Sequence, residues 1–150
     1  MPLGTSVPGK AVVVDASIAV KWVVGEVGSD RAARLLDGRT LHVPDLLFVE
    51  AATALWAMRR RGALPLEAPA AALGWLVRAP LRVVRTMPLI EPALALATAL
   101  AHHVYDCVYL ALAAEVAAPL VTADARLLAA ALSDADLARL VLPLDEIGSA

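Results

Sequence analysis

A three-layer α/β/α domain built on a short parallel sheet is the fold that this sequence predicts. Three observations point to it. Short apolar stretches alternate with helical segments along the whole chain. The stretches are apolar at consecutive positions, as in VVV at residues 12–14, which suits strands covered by helices on both faces. No repeat, linker or low-complexity segment divides the 150 residues, a length suited to one domain that buries roughly two thirds of its unfolded surface.

Each element has its own signal. Residues 12–14 are β-branched and continuous, which predicts a buried strand. Residues 17–24 and 29–36 read as short helices, the second opening on Ser29-Asp30. A second strand over 40–43 is ended by Pro44, and Asp45 is placed to cap the helix LLFVEAATALWAMRRR, which Gly62 closes. A helix over 67–77 and a strand over 81–85 follow. Another helix starts near Glu91 with Pro92 in its first turn. His102 and His103 end it, and the chain restarts as YDCVYLALAAEVA. Leu120 and Val121 predict a strand, TADARLLAAAL a short helix, and residues 140–142 a last strand. Residues 1–10 read as a flexible leader and 11–150 as the folded domain.

Composition narrows the function classes. Hydrophobic residues make up 60% and charged ones 19%, which excludes a disordered chain. Asp15 and Lys21 break the first apolar stretch; His102, His103 and Asp106 break the longest later one. No run reaches the ~18 apolar residues of a spanning helix. The leader has no secretion signal, and the single Cys107 cannot form an internal disulfide, so a cytoplasmic protein is expected. A net charge of −2 argues against a simple basic nucleic-acid binder. The apolar excess has two readings: a core of small residues, or a surface for self-association or a partner.

Four of the fifteen acids stand in apolar surroundings. Asp15 ends VVV, Glu50 lies inside LLFVEAATAL, Asp106 precedes CVYLALAA, and Asp124 sits in LVTADARLL. Each aspartate taken alone could cap the helix after it. Glu50 cannot, because it lies about five residues into a helix, beside Leu46, Leu47, Thr53 and Ala54, which are expected to face the core. A lone buried charge is costly, so Glu50 predicts either a salt bridge with an arginine or a shared cation. Ligands bind outside the carboxyl ends of the strands in such sheets, and Asp15, Thr122 and Asp124 follow strand ends. Four acids there would raise one another's pKa values, a conflict that a hard divalent cation, Mg²⁺ or Mn²⁺, resolves. Ser17 and Thr122 add hydroxyls, and the absence of a His or Cys cluster argues against zinc.

The set "VVVDASIAVKW", "PDLLFVEAATAL", "YDCVYLALAAE" and "LVTADARLL" resembles the PIN-domain ribonucleases, above all the VapC-type toxins of type II toxin–antitoxin pairs. The resemblance runs from about residue 11 to the C-terminus and implies a PIN-like fold. It also implies an endoribonuclease whose catalytic, metal-holding quartet is Asp15, Glu50, Asp106 and Asp124, with Ser17 and Thr122 as supporting hydroxyls. Hydrolysis by that route leaves 5′-phosphate and 3′-hydroxyl ends. A VapB-type antitoxin and a homodimer are implied as well. Some members carry a further acid after the fourth motif, where this chain has Arg126.

The remaining features have plainer readings. Lys21, Arg59, Arg60 and Arg126 are possible RNA contacts. Arg59 to Arg61 also suit a helix C-terminus, as His102 and His103 do, although the histidines are near Asp106. Asp134 in SDAD reads as a cap and Cys107 as packed beside Asp106. A haloacid-dehalogenase-type phosphatase would need an aspartate where Ser17 stands, and a receiver domain an acidic pair in place of Val14-Asp15. Two rival functions stay open: a catalytically inactive PIN-like module that binds metal or a partner, and a small-molecule phosphohydrolase.

Overall fold

The computed structural model describes residues 11–148; the expected flexible leader lies outside the described residues. Five strands form one sheet in the order β3-β2-β1-β4-β5, with every pairing parallel. The strands are β1 (Val12–Val14), β2 (Leu41–Pro44), β3 (Arg82–Val84), β4 (Leu120–Thr122) and β5 (Val141–Pro143). Between β1 and β2 run α1 (Ala16–Val23) and α2 (Ser29–Ala33); between β2 and β3 run α3 (Leu46–Arg60) and α4 (Ala68–Arg78). A 3-10 turn at Met87–Leu89 leads into α5 (Ile90–Leu100) and α6 (Val104–Val116), and α7 (Ala125–Leu132) and α8 (Ala135–Ala138) join β4 to β5. This is the expected α/β architecture, with element ends displaced by one to three residues.

Strand order explains which strands are covered. β1 and β4 are central and wholly buried, and Val13 pairs with His42 on one side and Leu120 on the other. The expectation of strands covered on both faces fails at β3, an edge strand whose Arg82 and Val83 are exposed. Helix α6 is buried at every position from Cys107 to Ala113 and packs against β1, β2 and β4, which is why its sequence is apolar all round. Helices α1 to α4 form a second packed group, in which the Trp22 indole donates to the Ala32 carbonyl at 2.8 Å and its ring lies 6.4 Å from that of Trp75. Trp56, Leu66 and Val49 are exposed, so part of the apolar excess is on the surface. Among the described residues no single helix is long and apolar enough to cross a membrane.

Two helix starts test the expected caps, and one differs. Asp45 occupies the cap position of α3 without capping it; its carboxylate instead accepts from the backbone N–H of Thr86, at 3.0 Å, and from that residue's hydroxyl. Asp134 caps α8 as expected, accepting from Asp136 and Leu137 N–H.

Candidate active site at the switch point of the sheet

The order of the sheet reverses between β1 and β4, because the chain leaves β1 toward β2 on one side and returns to β4 on the other. Such a reversal leaves a crevice at the carboxyl ends of the two strands. Asp15 follows β1 there, and Thr122 ends β4. Asp15 is only 5% exposed. It caps α1 through Ile18 N–H at 3.2 Å and accepts from the Ser17 hydroxyl at 2.5 Å and from the Thr122 hydroxyl. The same hydroxyls accept in turn: Thr122 Oγ1 from Asp124 N–H at 3.0 Å, and Ser17 Oγ from Ala123 N–H at 3.2 Å. Both supporting hydroxyls therefore knit the two strand ends together. Burial pushes the Asp15 carboxyl up to about 6, against the pull of these hydrogen bonds, and the charge of Asp124 pushes it further the same way. Asp124 caps α7, accepting from Arg126 and Leu127 N–H, as its position suggests.

Asp106 does not cap α6. The helix begins two residues earlier, at Val104, with His103 at the cap position, so Asp106 lies inside its first turn. Its carboxylate meets His102 Nε2 at 2.8 Å instead. His102 is therefore not a solvated helix end, since its side chain is 12% exposed and turned to Asp106. His102, His103, Asp106, Asp124 and Arg126 line one cleft of about 350 Å³.

Glu50 is half-buried at the rim of the core. The core face of α3 is Leu47, Ala51 and Leu55, and Thr53, expected inside, is exposed. No arginine pairs with Glu50 among the described residues. The buried Tyr109 hydroxyl donates to Glu50 Oε1 at 2.5 Å. Burial raises the Glu50 carboxyl above its ordinary value, and the Asp106 and Asp15 charges add to that rise against the Tyr109 bond. Tyr109 is itself held well above the usual phenol range by burial first and by the three acids next. The sequence reading passed over Tyr109, although its spacing of three from Asp106 puts both on one face of α6. Cys107, pushed up to about 11 by burial and by Asp106, is a packed thiol.

The four acids thus act on one another electrostatically, but each is turned to its own donor. Among the described residues no three His, Cys, Asp or Glu side chains are grouped closely enough to enclose one ion. The four acids and the two hydroxyls offer oxygen donors, which match Mg²⁺ or Mn²⁺ in chemistry. The expected basic residues scatter. Arg126 lines the acid cleft, while Lys21 is tied to Glu26 at 3.2 Å and to the Val27 carbonyl at 2.8 Å. Arg59 and Arg60 are at the far end of α3, roughly 14 Å along the axis from Glu50. The Arg60 guanidinium covers the Trp56 ring at 5.2 Å.

The PIN-domain family matches this chain over residues 12–132, a span that holds all four acids. Ribonuclease VapC3 of Pyrobaculum aerophilum is 35% identical over 118 residues, which are 77% of this chain and 90% of that protein. A crystal structure of another Pyrobaculum aerophilum protein is similar with a TM-score of 0.64 and 25% identity, covering 82% of this chain and 80% of that one. VapC20 of Mycobacterium tuberculosis, a toxin that cleaves the sarcin–ricin loop, has the same fold with a TM-score of 0.63 at 19% identity, over 79% of this chain and 94% of that one. Strand order, the crevice at the reversal and the match over most of the chain agree: the chain belongs to the PIN-domain family and is of the VapC type.

Proposed function

We propose that the chain is an endoribonuclease toxin that hydrolyses RNA phosphodiester bonds with Mg²⁺ or Mn²⁺ held by Asp15, Glu50, Asp106 and Asp124. The observation that carries this reading is the placement of Asp15, buried at the switch point and within electrostatic reach of Asp124 and Glu50, with Asp106 acting on Glu50 in turn. When bound, the cation supplies water of lowered pKa and neutralises charge that develops on the phosphate. The chain's own residues prepare the place. Ser17 and Thr122 fix Asp15, His102 fixes Asp106, and the exposed Arg126 and His103 offer donors to backbone phosphate along the acid cleft.

The test is cleavage of a structured RNA with Mn²⁺ and with EDTA. Products with 5′-phosphate and 3′-hydroxyl ends in Mn²⁺, and none in EDTA, support the reading. The spread of the acids favours one rival, a module that binds a partner without turnover, and that rival predicts intact RNA in both arms. Hydrolysis of p-nitrophenyl phosphate with RNA left intact would point to the small-molecule phosphohydrolase.

The same reading includes a VapB-type antitoxin that shields a cytoplasmic ribonuclease, with an apolar helix on the exposed apolar surface and an arginine offered to the acids. Co-purification with the product of an adjacent gene tests it. It also includes a homodimer; light scattering that shows only a 15.6 kDa species at micromolar concentration refutes that part.

A further inference from the structure

Among the described residues, Tyr109 is the largest of the fully buried side chains, with 1% of its surface exposed. Packing alone at such a position is satisfied by phenylalanine, whereas a buried phenol hydroxyl needs a partner. The partner is Glu50, 59 positions away on another helix. Glu50 has no salt-bridge partner among the described residues, and its long side chain opens toward a cleft lined by Val49, Thr53 and Tyr105. Without a tether it has several rotamers to sample. A hydrogen bond to an ionised carboxylate is about twice as strong as a neutral one, enough to select one of them. Because Tyr109 follows Asp106 by three on α6, the tether also brings the acid of α3 to the face of α6 that carries Asp106.

We propose that Tyr109 is a positioning residue whose hydroxyl fixes one oxygen of Glu50 and so holds that carboxylate toward the face of α6 that carries Asp106, on the side where the proposed cation would bind. The inference rests on the four-acid reading above. Its role is indirect: Tyr109 is closed off from solvent and acts through Glu50.

Mn²⁺ binding to the full chain without RNA, measured by calorimetry, tests it in the parent, Tyr109→Phe, Glu50→Gln and the double variant. Tyr109→Phe is expected to weaken binding roughly 10- to 100-fold, the usual effect of losing a group that orients a ligand, while still melting cooperatively in EDTA. The double variant is expected to bind no more weakly than Glu50→Gln alone, since the hydroxyl has lost the charge that it positions. Binding by Tyr109→Phe within twofold of the parent, with Glu50→Gln weakened, overturns the proposal; so does a double variant in which the two losses multiply. Parent-like binding by Glu50→Gln refutes the four-acid reading itself, a separate result. Should Tyr109→Phe not melt cooperatively, ultraviolet resonance Raman of Tyr105→Phe, in which Tyr109 is the remaining tyrosine, reads its hydroxyl directly. A doublet of a strong donor that weakens when Glu50→Gln is added is expected, and a doublet that Glu50→Gln leaves unchanged overturns the proposal.

Discussion

Asp15 and Thr122, 107 residues apart in the sequence, are joined by a buried hydrogen bond where β1 and β4 lie side by side. This bond helps keep a carboxylate inside a core of valines, leucines and alanines, and it only partly offsets the burial that raises the proton affinity of Asp15.

That affinity predicts a pH dependence. In the absence of metal the fold prefers protonated Asp15, so the stability linked to it is fully present below the ordinary 3.8 and is lost as pH rises through about 6. The difference corresponds to about 3 kcal/mol. Asp15→Asn imitates the protonated form. Urea denaturation in EDTA should show the parent losing about that much relative to the variant between about pH 4 and pH 7. A parent-to-variant difference that does not change with pH contradicts it.

Metal should reverse the penalty. At a hundredfold excess over Kd, Mn²⁺ adds about 2.7 kcal/mol, or roughly 5–10 °C in melting temperature for a chain of this size. Glu50→Gln and Asp106→Asn should gain far less, lose cleavage by orders of magnitude, and be at least as stable as the parent in EDTA because one like charge has gone. Melting curves with and without Mn²⁺ check all of this. An EDTA-destabilised Glu50→Gln that still cuts RNA would sink the acid-site reading.

The corner between β2 and α3 offers a structural test. Thr86 accepts from Leu46 N–H at 3.1 Å while its own hydroxyl and N–H donate to Asp45, so one side chain ties this corner to the end of edge strand β3. Thr86→Val should cost about 1–2 kcal/mol in urea denaturation, since both the helix amide and Asp45 lose a partner. Cleavage at the switch point should be unaffected.

Ala117 ends α6 with φ +51°, in the left-handed region that costs a residue with a Cβ about 1–2 kcal/mol. Ala117→Gly removes that strain and returns part of it through the freer unfolded chain. A net gain of about 0.5–1 kcal/mol is expected, read as a higher melting temperature. A loss would show that the Ala117 methyl group contributes packing that outweighs the strain.

What the sequence made legible were the features encoded locally. Three valines before Asp15 and LVT before Asp124 placed both acids at strand ends, and the 3.6-residue period exposed Glu50 as an acid no cap could explain. Which aspartate caps a helix was less legible, because it turns on a shift of one or two residues. Asp124 precedes α7 and caps it, whereas Asp106 falls within the first turn of α6 and does not. Partners across the chain were beyond reach, since pairing Glu50 with Tyr109 requires α3 and α6 to be placed in space. The exposure of β3 likewise depends on strand order, which no local pattern records.

The adjacency of β1 and β4 also sets a timetable. Pairing them closes a loop of more than a hundred residues, the kind of distant contact that forms late and slows folding. A nascent chain that has yet to emit β4 already carries Asp15, Glu50 and Asp106, but has neither the Thr122 hydroxyl that steadies Asp15 nor Asp124. The crevice comes into being only when the last fifth of the polypeptide docks, so whatever chemistry it performs belongs to the finished chain and to none of its fragments.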